Sequence, residues 1–568
     1  MADDKTPKQK YLARKSELWQ ERSTWIPQWQ EISRYLLPRN GRFLVTDRNR
    51  GEKRHNAIYD STATRAHRVL AAGLMSGMTS PARPWFRLAV SDTKLMEYAP
   101  VKEWLNDVTE LMRQIYQRSN TYRALHMLYE ELGGFGTGVS VVLPDFDDVI
   151  RHYPSTIGEY AVAVDHRNEV NTLCREFDIT VGQCVGDFGI KNVSQTVKNL
   201  WDKGSLDQWV TITHMIEPRK DRDQRYKDAK NMPIASCYFE SNSNAGDNKF
   251  LRESGFKRPP LLAPRWAATG GDIYGNSPGM ECLGDIKQLQ HQQLRKGQGI
   301  DYMVKPPLQL PTSMKNTEFN GLPGGANYYD AVSQNGIKSA FDVNIRLDHL
   351  LLDIQDVRER IEETFYKPLF MATLLDDKNQ PDTARAIAEK HEEKLIMLGP
   401  VLERLHNELL KRFIDITFDE MVLAGIVPPP PEEMNGMELN VEFISMLAQA
   451  QRAIGVGAID RFVSSMGMIS QFKPGVLDKF NEDEWADKYA DMLGVDPTLI
   501  VADDHVAIVR AKRAETQAKA AQQQQLAEGA QTAKTLSETK TGGAEQNALQ
   551  DIIGGFSGYS GPGLPVAA

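Results

Sequence analysis

The residues of this chain suited to chemistry are few, and their spacing does not assemble a known reaction centre. Asp145-Phe146-Asp147-Asp148 is a carboxylate cluster of the type that can hold a divalent cation for nucleic-acid hydrolysis. It closes a strand-like run, a position where aspartates usually make solvated turns. Gly133-Gly134-Phe135-Gly136-Thr137-Gly138 is as rich in glycine as a phosphate cradle. It precedes a strand instead of joining a strand to a helix, so it reads as a turn that needs permissive backbone angles. His391-Glu392-Glu393-Lys394-Leu395 lacks the second histidine of a zinc-binding HExxH helix, and the other histidines lack metal-ligand spacing. Neither GxxxxGK[ST] nor GxSxG occurs. Cys174, Cys184, Cys237 and Cys282 are too far apart for a CxxC pair, which fits a reducing cytoplasm. No catalytic residue, cofactor or metal site is therefore assigned.

Composition narrows the class further. At 568 residues the chain is too long for one core, and its length suggests three to four domains or layers. Hydrophobic (41%) and charged (25%) fractions are those of an ordinary globular protein. The polar start MADDKTPKQK is not a signal peptide, and no apolar run is long enough to span a membrane. A net charge of −9 argues against static capture of duplex DNA, which basic surfaces provide, but is compatible with a surface that DNA slides past.

The periodicities predict the elements. Tyr11, Lys15, Leu18, Arg22, Trp25, Trp29, Ile32 and Leu36 recur at helical steps over residues 9–37, with Pro27 bending or dividing the helix. Further helices are expected over Ser61–Thr79, Val101–Ser119 and Thr121–Leu132. Residues 139–256 switch to short β-branched and aromatic runs between turn residues, a β-rich region with one helical insert near Ser194–Lys203. Its charge run Arg219–Lys230 reads as a solvated loop. A helix over 279–298 and a compact excursion of strands and turns over Val304–Phe341 follow. Val343, Leu347, Leu350, Ile354, Val357, Ile361 and Phe365 then mark the strongest helix, about 40 Å from Val343 to Leu369. After the polar loop to Pro381 a long helix runs from Asp382 to Pro428, with a kink expected at Gly399-Pro400. Shorter helices are expected over 440–493, one long Ala- and Gln-rich helix over 503–540, and a flexible tail from Gly542.

Several blocks carry a family resemblance. Tyr35-Leu36-Leu37-Pro38-Arg39-Asn40-Gly41-Arg42-Phe43, Ile58-Tyr59-Asp60-Ser61-Thr62-Ala63 and Ala71-Ala72-Gly73-Leu74-Met75-Ser76-Gly77-Met78 lead into Thr79-Ser80-Pro81-Ala82-Arg83-Pro84-Trp85-Phe86-Arg87-Leu88. Together they resemble the head-to-tail connector, or portal, family of short-tailed bacteriophages. Phe135-Gly136-Thr137-Gly138, Arg175-Glu176-Phe177, Tyr274-Gly275-Asn276-Ser277-Pro278-Gly279-Met280 and Leu398-Gly399-Pro400-Val401-Leu402-Glu403-Arg404-Leu405 continue the likeness in the same order. It covers about residues 10–500.

The resemblance implies an α+β, mainly helical chain with the portal fold. That fold comprises an α/β wing (1–277), a first stem helix (278–299), a small clip (300–341) and a second stem helix (342–370). A tunnel loop (371–381), a long kinked wing helix (382–431) and a helical crown (432–502) follow, then a possible C-terminal helix (503–541) and a flexible tail (542–568). It implies a structural, non-enzymatic virion protein, assembled in the host cytoplasm as a dodecameric ring. Double-stranded DNA would pass through the ring transiently and without sequence preference during packaging and ejection. The implied partners are the terminase large subunit, the major capsid protein, a scaffolding protein and tail adaptor proteins, with no membrane insertion. Asp376, Asp377, Lys378, Asn379 and Gln380 would project from the tunnel loop toward DNA. Lys287, Arg295, Lys296 and Lys305 are candidates for phosphate contacts along the stem, or equally for solvated faces and salt bridges between subunits.

Apart from the resemblance, a buried two-helix hairpin in a monomer is the plainer reading of the stem helices; granted a ring, simple geometry fits about twelve copies. With helices about 10 Å wide, six copies leave a lumen near 9 Å and twelve a lumen near 28 Å, against a duplex about 20 Å across. A virion adaptor or scaffold that never touches DNA would show the same lack of motifs but needs no stem pair. A nucleic-acid-processing enzyme would use Asp145–Asp148 and would bind divalent metal.

Overall fold

The computed structural model describes residues 6–43, 56–92, 95–96, 98–226, 228–241, 249–304, 308–309, 338–339, 348–371, 398–434, 439–444, 456–470, 472–473, 475, 480–493 and 503–538. The chain divides into two compact units, Met1–Gly457 and Ala458–Ala568.

The first unit opens with α1 (Pro7–Arg22) and α2 (Ile26–Tyr35), so Pro27 divides the expected helix instead of bending it. The proline sits in the first turn of α2, where its missing N–H has no helical partner to lose. Thr6 and Gln9 form a reciprocal capping box at the start of α1. Helix α3 (Thr62–Met78), strand β1 (Phe86–Val90), and helices α4 (Ala99–Arg118) and α5 (Thr121–Phe135) follow. The β-rich region contains β2 (Val139–Asp145), β3 (Val149–Ser155), β4 (Tyr160–Val164) and β5 (Val170–Thr180). It continues with α6 (Val181–Phe188), α7 (Gln195–Asp202), β6 (Trp209–Pro218), β7 (Ile234–Glu240), β8 (Arg252–Phe256) and β9 (Leu261–Leu262). The sequence reading held α7 and missed α6. Its signal was present in the Thr180–Gln183 capping box.

Strands β4-β5-β6-β7-β8 form an antiparallel sheet, and β3-β2-β9 a smaller one. One face of the larger sheet packs Ile212 and Tyr238 against Val181, Cys184 and Val197 of α6 and α7. The other packs Ala161, Cys174, Met215 and Phe239 against Leu18 of α1. Side chains close the sheet edges. Arg22 donates to the carbonyls of Gly158 (2.7 Å) and Tyr160 (2.8 Å) at β4. The Asn120 amide pairs with both backbone groups of His152 at β3, at 2.8 and 2.9 Å. Filling an edge this way blocks pairing with other chains.

The second half contains α8 (Leu283–Val304), the paired strands β10 (Leu308–Gln309) and β11 (Lys338–Ser339), α9 (Asp348–Thr364) and α10 (Lys367–Met371). Two expectations are corrected. Helix α8 runs to Val304, past the residue 299 expected for the first stem helix. The helix expected to be continuous from 343 to 369 breaks at Phe365–Tyr366, where Tyr366 takes φ +54°. Pro368 explains the break. Inside a continuous helix it would remove the bond to Thr364 and press its ring on that carbonyl, whereas it fits the first turn of a new helix.

The long helix is described from 398, and its irregularity is a π segment, His406–Lys411, before α11 (Arg412–Leu423). The turn before Gly399-Pro400, the site of the expected kink, lies outside the described residues. The helices expected from 440 are corrected at their start. Leu439–Phe443 is a strand, β12, antiparallel to β1 with Phe86 opposite Phe443. Both members of that pair are short, and their strand character depends on a partner about 350 residues away.

The second unit contains most of helix α12 (Val456–Ser470), all of α13 (Glu482–Leu493), and α14 (Asp503–Glu538), the last matching the long helix expected over 503–540. Arg510 of α14 pairs with Asp483 (2.6 Å) and Glu482 (3.3 Å) of α13.

Candidate functional site

One of the blocks that carry the family resemblance, Ile58–Ala63, forms the seat of one antiparallel helix pair, α8 and α9. Asp285 meets Arg360 at 3.2 Å near one end, and two turns along Gln292 donates to Asp353. Between them Ile286, Leu289, Ile354, Val357 and Ile361 are buried. Apolar positions on one face of each helix bury against the other, which contributes roughly 1.5–3 kcal/mol per large side chain.

Asp60 fixes this pair to the rest of the unit. Its Oδ1 accepts from the Thr62 backbone N–H (2.9 Å) and hydroxyl (2.6 Å), tying it to the start of α3. Its Oδ2 accepts from Gln293 of α8 (2.9 Å) and from Arg358 of α9 (2.7 and 3.1 Å). Gln290 completes the seat: its Oε1 accepts from the N–H groups of Tyr59 (2.6 Å) and Asp60 (2.8 Å), and its amide donates to the Asp60 carbonyl (2.9 Å). Burial acts against the Asp60 charge, yet the bonds from Thr62 and Arg358 outweigh it and hold the carboxyl below the usual carboxylate range. A group with a depressed folded pKa adds stability above its unfolded value, about 3.9, and loses it as pH falls through the folded value. Asp60→Ala should therefore cost about 3 kcal/mol at pH 7 and progressively less below about pH 4, measured by chemical unfolding across pH. An equal cost at pH 7 and pH 3 would refute the assignment.

A second constellation lies behind the seat. Gly136 has φ +78°, and a Cβ there would lie 2.1 Å from the Gly275 carbonyl oxygen. The Trp266 N–H donates to the Gly136 carbonyl (2.9 Å), and the Gly275 N–H to the Thr137 hydroxyl (2.9 Å). The Ser277 hydroxyl donates to the Gly134 carbonyl (2.7 Å). Gly133 and Gly134 of the glycine-rich block thus lie in the last turn of α5, and Gly136 caps that helix in the left-handed conformation, the permissive backbone that the block's position before a strand suggested. Gly73 plays a comparable part in α3, because the Phe370 ring of α10 occupies the space a Cβ would fill. His67, one and a half turns earlier, donates from Nε2 to the Glu130 carbonyl (2.9 Å), and the Phe365 ring meets it edge-on at 5.8 Å. Burial lowers the His67 pKa to about 4, so the ring is neutral at pH 7.

Asn40 of the Pro38–Phe43 block donates to Glu131 (3.1 Å), which also accepts from the Thr156 hydroxyl (2.7 Å) and the Ile157 N–H (3.0 Å). Burial pushes the Glu131 carboxyl up to about 7. Arg265, 1% exposed, spends its guanidinium on Glu408 (2.8 Å), the Asn168 carbonyl (2.6 Å) and side chain (3.1 Å), and the Asp272 carbonyl (3.1 Å). Glu408 lies in the π segment of the long helix.

The residues singled out from sequence fall in different places. Lys287 pairs with Glu31 of α2 at 2.6 Å. Arg295 is exposed on α8, bonded to Gln298 (3.0 Å), and Lys296 is half-buried. Lys305, Asp376, Asp377, Lys378, Asn379 and Gln380 lie outside the described residues. Asp145–Asp148 forms the turn between β2 and β3, with Arg151 3.5 Å from Asp145. Among the described residues no group of His, Cys, Asp and Glu is arranged to hold a metal, and no helix is long and apolar enough to cross a membrane. Sequence reasoning missed Asp60, Gln290, Arg358, Arg265 and Glu408. Asp60 alone left a signal, an aspartate two residues ahead of a helix-starting threonine.

Comparison with known proteins gives the family. The chain is 57% identical to a probable portal protein of Bordetella phage BPP-1 over 558 residues, 98% of this chain and 100% of the relative. It is 44% identical to the portal protein of Salmonella phage epsilon15 over 540 residues, 94% of this chain and 96% of the relative. A solved neck of an empty gene transfer agent particle covers 81% of the chain and 96% of its own, at 12% identity and a TM-score of 0.34, too distant to carry an argument. Residues 8–501 match the family described as bacteriophage head to tail connecting protein. With both its seat motifs and its near relatives in agreement, the chain belongs to that head to tail connecting family.

Proposed function

We propose that the chain is the portal subunit of a phage virion, closing as a dodecameric ring at one capsid vertex through which double-stranded DNA is packaged and ejected. The head-to-tail connecting role and the virion location follow from the family. Such connectors are structural parts of the particle. The observation that favours a ring is the far half of the α8–α9 pair. Ile300, Tyr302, Met303, Val304, Leu351 and Leu352 are each at least 41% exposed there. Apolar side chains clustered in this way mark an interaction surface, and a second copy of the same pair is what a ring places beside it.

In this reading α8 and α9 belong to the stem pair (278–299 and 342–370), residues 300–341 form the clip and residues 371–381 the tunnel loop. Asp376, Asp377, Lys378, Asn379 and Gln380 contact passing DNA with mixed charge, so that no phosphate is held firmly. Lys287, Arg295, Lys296 and Lys305 are the stem cations proposed for phosphates, of which Lys287 also pairs with Glu31. A terminase large subunit supplies the ATP-driven work, while capsid, scaffolding and tail adaptor proteins meet the ring's outer surfaces.

Electron microscopy with native mass measurement tests the ring directly. Closed rings of about twelve, with a lumen wider than the about 20 Å of a duplex, support it; a stable monomer across salt conditions rejects it. Replacing Asp376–Gln380 by Gly-Ser should leave ring yield unchanged and lower packaged genome per particle about tenfold. Native genome retention in those particles would remove the loop's role.

A further inference from the structure

The ring reading leaves open which surfaces meet between copies, and the outer faces of the helix pair bear on that question. Arg295 lies nine residues after buried Ile286 on α8, and Asp348 nine residues before buried Val357 on α9. At about 100° per residue, nine residues make half a turn, so Arg295 stands opposite Ile286 and Asp348 opposite Val357, with Gln292, which reaches α9, about 60° from Arg295. The outer face of α8 carries exposed Gln288, His291, Arg295, Gln298 and Tyr302, and no acid. The outer face of α9 carries exposed Asp348, Leu352, Asp356, Glu359 and Glu363. Asp356 already has Arg360 at 3.4 Å, and Glu359 accepts from Gln355 at 2.8 Å. Among the described residues the Arg295 side chain bonds only within its own helix, to Gln298 and His291.

We propose that these two faces meet between neighbouring copies, the basic flank of α8 on one copy against the acidic flank of α9 on the next, with Arg295 paired to Asp348. The inference rests on the ring reading. A ring contact is heterologous, so one surface of the chain must fit a different surface of the same chain, and opposite charge on the two flanks supplies that fit. Height agrees as well. The Gln292–Asp353 contact sets the antiparallel register, which places Arg295 level with residue 350, two residues from Asp348. Two residues are about 3 Å along a helix, within reach of an arginine, and rotation about a ring axis preserves height along it. Tyr302 and Leu352, 54% and 69% exposed, bring apolar surface to the same two flanks.

A charge exchange in the full chain tests this, with ring yield read by native mass measurement at low salt. The unaltered protein is scored first; if it forms no rings, the ring reading itself fails. If it does, Arg295→Glu and Asp348→Lys should each lower ring yield about tenfold, and the double variant should return it to within about twofold of native. Thermal melting of the dissociated chains separates misfolding from lost association. If Asp348→Lys fails to fold, Asp348→Asn with Arg295→Gln replaces the exchange and should close rings whose yield no longer falls with salt. Single variants that close rings normally overturn the pairing, as does a double variant no better than the singles. Normal rings from Arg295→Glu with reduced DNA retention would place Arg295 on the channel wall instead.

Discussion

Gly136→Ala is expected to leave little folded protein. The left-handed backbone at φ +78° costs an alanine roughly 1–2 kcal/mol. The larger cost is steric, because the new methyl would lie 2.1 Å from the Gly275 carbonyl oxygen and neither partner is a flexible side-chain end. Relieving the overlap means separating the two turns. That breaks the Trp266-to-Gly136 and Gly275-to-Thr137 hydrogen bonds and disturbs the base of α8. The sum is about 4–5 kcal/mol, a large share of the 5–15 kcal/mol that stabilises a typical folded domain. Soluble yield and thermal melting would report it. Gly284→Ala is the matched control: its added methyl meets nothing within 4 Å in helix α8, so it should be neutral or stabilise by about 0.5–1 kcal/mol. If both variants melt alike, the Gly136 turn is not the constraint described here.

The second large effect is expected at Glu408. Removing it as Glu408→Ala leaves the Arg265 guanidinium 1% exposed with its charge uncompensated. Breaking a buried ion pair from one side costs about 3–5 kcal/mol, more than the intact pair contributes over an apolar substitute. Arg265→Met should cost less, since it removes the buried charge and leaves Glu408, 17% exposed, able to reach water. The order of the two costs, read from chemical unfolding midpoints, is the test. Equal losses would mean that Arg265 acts through its packing alone.

Much of the helical framework was legible because periodicity is local. Thr62–Met78, Ala99–Arg118, Thr121–Phe135 and Asp503–Glu538 appear where the apolar stripes or the Ala- and Gln-rich composition place them. The need for permissive backbone angles in the glycine block was legible and is met at Gly136, but Gly133 and Gly134 belong to the last turn of α5 and not to a turn. The break at Phe365–Tyr366 was also available, since Pro368 rules out a continuous helix, but the strength of the surrounding stripe obscured it. The π segment had no such signal. Residues 398–423 keep an ordinary helical stripe, and the widened turn appears where Glu408 reaches Arg265, more than 140 residues earlier in the chain.

Sequence alone determined the composition class, the family and the places of most long helices, since those depend on residue types and on spacings of three or four. Tertiary structure decided the pairing of Phe86–Val90 with Leu439–Phe443, the division into two units, and the seat in which Asp60, Gln290 and Arg358 bind the helix pair. A strand of five residues has no partner until the chain folds back to supply one. A buried glutamine or aspartate reads as an ordinary surface residue until packing removes it from water. Once it has, each unmade hydrogen bond there costs about 1–3 kcal/mol, and that penalty selects the one arrangement in which the polar atoms of Asp60 and Gln290 find partners.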